Sequence, residues 1–276
     1  MIYALLTNVG ILGGVALISA VVLYLVSQKF KVEPDVLADD IAQLLPQANC
    51  GGCGFAGCAD FARACAKADE EEFSGLLCPV GGNAVMSKIA VRKGFNFGGG
   101  ARKVAVLRCQ GDCAAAPSKV SYDAVSSCRI AGQISIGSSG CPQGCLHLGD
   151  CVKMCKFGAL SFDKATMLPV VNTKLCTACG ACVKACPRAL FELRPLSPKG
   201  ALVYTACRNI QKGAIARKNC RNACIGCAKC FRLNPKVVVE NNLSTIPPEV
   251  DADACGAELR DTCPTGAIVY KEKADA

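Results

Sequence analysis

The run Cys176, Cys179, Cys182, Cys186, closed by Pro187, constrains this chain more than any other feature. Its spacing is C-x2-C-x2-C-x3-C-P. Three thiolates this close wrap one corner of an iron–sulfur cubane, and the fourth is carried off by the proline toward a second cluster. Zinc also takes C-x2-C pairs, but its knuckles set two pairs about a dozen or more residues apart and add no third Cys at x2. Three further runs of close cysteines bring the total to 23 Cys among 276 residues. Electron transfer is therefore the first function class to consider.

Disulfides belong to oxidising compartments and small secreted domains. Clustered, metal-type spacing argues instead for a reducing, cytoplasm-facing location. Aromatic residues are 5% of the chain and Trp is absent, so the aliphatic core is modest and bound clusters would serve as internal staples. The formal net charge of +9 suits nucleic acid, an anionic membrane or an acidic protein partner. No helix-turn-helix, RNP or zinc-finger pattern accompanies it, so nucleic acid is not expected. Much of the charge lies between Arg188 and Lys236. Lys184, Arg188 and Lys199, beside the best-formed motif, are candidates for docking an acidic electron carrier, against the plainer reading of solvated faces.

Ile2 to Val26 holds no charged residue. At about 1.5 Å per residue it reaches roughly 37 Å, enough to cross some 30 Å of hydrocarbon with tilt. Lys29 and Lys31 follow at once, which by the positive-inside rule puts the remainder in the cytoplasm. A cleaved signal peptide is the rival, but the basic n-region is missing and the apolar run is too long. A single-pass protein of the inner (cytoplasmic) membrane is expected.

Val32 to Leu45 has helical periodicity, with Pro34 suited to a first turn. Cys50-x2-Cys53-x4-Cys58 follows among glycines, and Cys78-Pro79 closes that unit at a distance. Lys103 to Arg108 reads as a strand ending at Cys109, and Ala201 to Ala206 as another ending at Cys207. Between them, Cys141-x3-Cys145-x5-Cys151-x3-Cys155 and the Cys176 run form an internal repeat of about 31 residues, as for pseudo-symmetric ferredoxin halves. Cys224-x2-Cys227-x2-Cys230 then has Asn234 where a fourth Cys belongs. Its mate keeps Cys263 but only Cys255 of a triad.

Crossed ligation groups Cys176, Cys179, Cys182 with Cys155; Cys141, Cys145, Cys151 with Cys186; and Cys224, Cys227, Cys230 with Cys263. With Cys50, Cys53, Cys58 and Cys78, four [4Fe–4S] clusters use sixteen cysteines. Cys109, Cys113 and Cys128 make a candidate triad for a fifth, completed by Cys207 or Cys220. Alternatively Cys141 completes that group and leaves the first ferredoxin cluster one thiolate short. Cys65 and Cys255 read as plain buried or free thiols, and His147, the sole His, as a loop residue near a cluster. Neither nucleotide-binding fingerprint nor catalytic signature is found.

The expected fold is α+β: an anchor (1–28), a small helical [4Fe–4S] domain (32–93), a linking segment (94–135) and tandem ferredoxin-like βαβ domains. The first of these (136–196) holds two clusters and the second (197–276) is degenerate.

An anchor, then CGGCGFAGC closed by CPVGG, then tandem ferredoxin motifs, resembles one family across nearly the whole chain. Leu45 through Cys58, Cys78 to Gly82, Cys176 to Pro187 and Ala223 to Cys227 carry the likeness to the B subunits of the Rnf complex, in their long variant. This resemblance implies an electron-transfer subunit of a membrane-bound, ion-translocating ferredoxin:NAD⁺ oxidoreductase. It implies input from soluble reduced ferredoxin, relay to other membrane and cytoplasmic subunits, and NAD⁺ reduction coupled to Na⁺ or H⁺ translocation elsewhere in the complex. Two other readings stand beside it: the electron-input subunit of another membrane oxidoreductase, and a membrane-tethered iron–sulfur sensor or scaffold.

Overall fold

An unbroken apolar stretch in a chain that must satisfy its own backbone gives a long helix. The computed structural model, which describes residues 2–29, 35–99 and 101–273, has α1 at Ile2–Lys29. Within it Asn8–Lys29 is long and apolar enough to cross a membrane, and none of that stretch is buried against the rest of the chain. Lys31 and Pro34 lie outside the described residues, as does Gly100.

Four helices make the next unit: α2 (Val36–Leu44), α3 (Cys58–Lys67), α4 (Glu70–Gly75) and α5 (Gly82–Lys93). Asp35 and Asp69 cap α2 and α4, accepting the amides of Ala38 and Glu72 at 3.2 and 2.8 Å. Lys93 Nζ closes the other end of α3, donating to the carbonyls of Cys65 (2.6 Å), Ala66 (3.1 Å) and Ala68. The apolar faces meet in a core of Ile41, Leu45, Phe61, Phe73, Met86 and Ile89. Cys65 is fully buried there, and burial pushes its thiol up to about 12.

Two units of one plan follow. The first runs β1 (Lys103–Leu107), α6 (Cys128–Ile134), α7 (Asp150–Lys153), β2 (Leu160–Phe162), β3 (Pro169–Val171), α8 (Ala181–Ala185) and β4 (Phe191–Pro195). The second runs β5 (Leu202–Thr205), α9 (Gly213–Asn219), α10 (Lys229–Leu233), β6 (Val238–Glu240), β7 (Leu243–Thr245), α11 (Ala252–Thr262) and β8 (Ile268–Lys271). In each, first and last strands pair antiparallel (β1·β4 with Lys103 opposite Pro195, β5·β8 with Leu202 opposite Lys271), and the middle two form a hairpin. All pairs among the described residues are antiparallel, whereas a βαβ crossover joins parallel strands. The segment read as linking thus supplies β1, a structural strand of the first unit.

The units differ where the sequence degenerates. In the first, α8 is a single short turn beside the Cys176 run. In the second, the eleven-residue α11 lies over β5·β8 and buries Leu259 with Val237, Ile246 and Val250. Gly256 permits this: a Cβ there would sit 2.3 Å from the Tyr270 ring. Asn234 Nδ2 donates to Cys255 Sγ at 3.4 Å, so the two degenerate positions meet each other.

Between the units, Arg108 and Arg194 are almost wholly buried and share Glu192 (3.3 and 2.5 Å). Arg108 also donates to the carbonyls of Thr205 (3.2 Å) and Cys207 (3.4 Å), tying the end of β1 to the end of β5. Burial lowers its pKa, and Glu192 opposes that shift.

Candidate metal centres

Four groups of four cysteines each line one space in the fold, and Cys224, Cys230 and Cys263 meet at a fifth place. At site I, Cys50, Cys53, Cys58 and Cys78 line an atom-free space of about 300 Å³, part of it open to solvent. Asn49 Oδ1 accepts the Cys58 amide at 2.8 Å, and Gly81 N donates to Cys78 Sγ at 3.4 Å. At site II, Cys155, Cys176, Cys179 and Cys182 line about 350 Å³, and Ala105 N of β1 donates to Cys176 Sγ at 3.4 Å.

Sites III and IV depart from the sequence grouping. The space of about 390 Å³ at site III is lined by Cys145, Cys151 and Cys186 together with Cys128. Asp150, at the start of α7, accepts both Ser127 Oγ (3.0 Å) and the Arg129 amide (3.1 Å), pinning the two neighbours of Cys128 beside Cys151. Cys141, expected in this group, lies instead at site IV with Cys109, Cys207 and Cys220 around about 380 Å³. Cys109 and Cys207 come from the matching ends of β1 and β5, so the junction of the two units builds the site. Cys113 is exposed and outside this group. The expected triad of Cys109, Cys113 and Cys128 is therefore dispersed, and the alternative in which Cys141 completes that triad shares with this placement only the nearness of Cys141 to Cys109, since Cys128 lines site III.

Site V is less enclosed. Ser244 N donates to Cys224 Sγ (3.3 Å), and Ser244 Oγ meets Cys230 Sγ at 3.1 Å. Cys263 packs against the two apolar clusters that contain Cys224 and Cys230, while Cys227 is exposed on the same loop.

Do these residues fit iron–sulfur clusters? No three Cys, His, Asp or Glu side chains among the described residues converge for one metal ion. At sites I to IV four cysteines line one space each, the donor number of a [4Fe–4S] cluster. Thr177 Oγ1, at the wall of site II, and Gln143 Oε1, at the wall of site IV, are buried without a partner. Buried polar atoms are rarely left so, and a group filling each space would meet them. Amides already point at the sulfurs: His147 N to Cys145 and Leu190 N to Cys186 at site III, Gly111 N to Cys109 and Asn209 N to Cys207 at site IV, each at 3.4 Å. Asn209 Nδ2 adds a contact of 3.5 Å to Cys141 Sγ. Such bonds stabilise thiolates and tune cluster potential.

Burial is the main cause of raised thiol pKa values, up to about 12 at Cys109, Cys151 and Cys182 and about 11 at Cys220. Neighbouring thiols add to it. Metal binding at such sites displaces protons. His147 Nε2 lies 3.2 Å from the Gly111 carbonyl and away from any ligand role; burial lowers its pKa and favours the neutral ring. Arg188 turns inward. Its two terminal nitrogens donate to the carbonyls of Cys141 (3.0 Å) and Gly144 (2.8 Å), and of Ser135 (3.2 Å) and Ile136 (2.6 Å), clasping the loop between sites III and IV. It is a brace rather than a free docking charge, unlike exposed Lys184 and Lys199.

Successive sites adjoin. Sites II and III share the core of Ala105, Leu107, Leu160, Leu190 and Phe191. The Cys145 amide bonds the Cys109 sulfur, joining III to IV. The Cys224 amide donates to Cys207 Sγ at 3.4 Å, joining IV to V.

Known proteins agree with this chemistry. An Fe-S cluster family matches residues 45–72, and the 4Fe-4S binding domain family matches residues 169–190. The chain is 38% identical over 268 residues to the B subunit of the ion-translocating oxidoreductase complex of Methanosarcina acetivorans, covering 96% of this chain and 97% of that protein. It is 37% identical to the B subunit of the Na⁺-translocating ferredoxin:NAD⁺ oxidoreductase complex of Acetobacterium woodii, covering 97% and 78%. The B subunit of the proton-translocating ferredoxin:NAD⁺ oxidoreductase complex of Clostridium ljungdahlii is 36% identical over 97% of this chain and 91% of its own length.

Proposed function

Because the chain belongs to the B subunits of Rnf-type ion-translocating ferredoxin:NAD⁺ oxidoreductase complexes, we propose that it accepts electrons from reduced soluble ferredoxin and relays them along five iron–sulfur sites to its partner subunits. It is an electron-transfer subunit of an oxidoreductase that is also a translocase, and it binds iron–sulfur clusters. NAD⁺ reduction and Na⁺ or H⁺ translocation fall to the rest of the complex. The observation that carries the relay is the unbroken succession of thiol groups through both strand–hairpin–strand units.

The ligand sets we assign are those of sites I to V: Cys50, Cys53, Cys58, Cys78; Cys155, Cys176, Cys179, Cys182; Cys128, Cys145, Cys151, Cys186; Cys109, Cys141, Cys207, Cys220; and Cys224, Cys227, Cys230, Cys263. A [4Fe–4S] cluster bound at such a set supplies one-electron acceptance and donation at low potential. The chain's own residues do the rest. Thiolates hold the iron, amides aimed at the sulfurs set the potential, and the apolar core shared by sites II and III keeps water out from between those two. The α1 anchor, with Lys29 in its last turn, supports a single pass with the cluster-bearing part in the cytoplasm.

The test uses the whole complex in anaerobic membranes. Reduced ferredoxin should reduce the clusters of this chain and drive NADH formation, and Cys179→Ser should abolish the second while the other subunits stay assembled. NADH formation at the parental rate with this variant would sink the relay. Within the chain, Cys128→Ala should strip iron from site III and Cys141→Ala from site IV. Loss of the same resonance signal in both would refute the assignment.

A further inference from the structure

Sites I and II belong to different folding units, so their spacing depends on how two loops meet rather than on any shared core. The contact is made by Gly52. A Cβ placed on it would lie 2.9 Å from both Cα and the carbonyl oxygen of Cys179, and 2.9 Å from Pro79 Cγ. Two of those three neighbours are backbone of a site II ligand, and the third follows Cys78, a site I ligand. Backbone cannot swing aside as a flexible side chain does. The Gly52 φ is not in the left-handed region, so hydrogen is required here for space and not for backbone conformation. Around this contact runs a solvent-open cleft whose walls carry both Cys53 and Cys176. Solvent reaches up to the contact, and the touching loops are the direct protein bridge across it.

We propose that Gly52 is the positioning residue that couples site I to site II, its missing side chain letting the two cluster-binding loops abut closely enough for an electron to pass. This rests on the relay reading above. The step is the transfer of one electron: the cluster at one site is oxidised, that at the other is reduced, and no bond or proton moves. A side chain at position 52 must push the Cys179 loop off the Cys50–Cys58 loop or distort the latter.

The experiment compares Gly52→Ala and Gly52→Val in the full chain, isolated without oxygen, with Gly98→Ala as control; Gly98 has nothing within 4 Å of its Cβ position. Iron content, resonance spectra of partly reduced protein and hydrogen exchange over residues 174–180 are read together. The expected result is parental iron, loss of the magnetic interaction between the clusters of sites I and II, and faster exchange over 174–180, larger for Val than for Ala and absent in the control. If a variant also sheds iron from site I, hydrogen exchange alone decides, since the loop opens whether or not iron leaves. Unchanged exchange, or an unchanged magnetic interaction with full iron, overturns the proposal. Absence of iron from these sites in the parent chain would instead overturn the relay reading, which keeps the two failures apart.

Discussion

Replacing Arg188 by Met should loosen sites III and IV, and the size of the effect follows from its four carbonyl partners. Each hydrogen bond to a charged donor contributes a net of about 1.5–3 kcal/mol. Arg188 is only half-buried, so water replaces the outer pair at Ser135 and Ile136, and the inner pair at Cys141 and Gly144 is counted alone. That leaves about 3–5 kcal/mol, allowing for the usual non-additivity. At roughly 1.4 kcal/mol per tenfold, the open form of the 135–144 loop becomes on the order of a hundred to several thousand times more populated. The assay is iron release to a strong chelator without oxygen, followed by the signals of the two sites. Arg188→Met should release that iron faster by a comparable factor. Arg188→Lys should fall between, because a single ammonium cannot reproduce the two-nitrogen fork. Lys184→Met, at an exposed position of α8, should release iron at the parental rate. Parental release from Arg188→Met, together with slower reduction by ferredoxin, would refute the brace and restore Arg188 as a docking charge.

Other perturbations test other parts of the fold. Glu192→Ala leaves Arg108 and Arg194 buried without their shared carboxylate and should cost about 3–5 kcal/mol, read as a lower unfolding midpoint of the holoprotein; an unchanged midpoint would show that the pair is not needed. Under native anaerobic alkylation, exposed Cys113 should react first and Cys65 only after unfolding, so equal rates by mass spectrometry would contradict the core of the helical unit. Asn234→Cys should add a thiol but no iron, because its neighbour there is Cys255 alone and α11 fills the adjoining space; a gain of about four iron atoms would show otherwise. The chain should stay with the membrane through alkaline carbonate, since α1 is too long and apolar to be peripheral, and release would count against the span.

Local spacing made much of this legible. Cysteines with only two or four residues between them on one loop are held together by covalent geometry, so the cores of sites I, II and V can be read from the sequence, and the long apolar stretch announces α1. Sites III and IV could not be sorted that way. Cys128 reaches Cys151 because the Asp150 carboxylate captures both of its neighbours, and Cys141 is drawn off by the loop that Arg188 clasps. Those are contacts between segments twenty or more residues apart, invisible to any spacing rule. One usable signal lay in the matched ends of the two strands: Cys109 after Arg108 and Cys207 after Ala206 hold equivalent places in the repeated plan. Charge was misleading at Arg188, since a cation beside a surface motif can be spent on internal carbonyls.

The apolar filling beneath α11 has a consequence for how the protein is made. The first strand–hairpin–strand unit leans on thiol-lined spaces, and small metal domains of this kind fold as they load. The final unit differs in having, beside its site V cysteines, an apolar core of Leu259, Val237, Ile246 and Val250 under α11. When iron is scarce, newly made chains should therefore carry an ordered tail behind an unsettled middle. That tail already displays Cys207 and Cys220, half of the junction site, as a template on which the rest can close once metal arrives. Limited proteolysis of chain produced in iron-depleted cells should leave a resistant fragment spanning about residues 197–273, while uniform digestion would show that every unit waits for its metal.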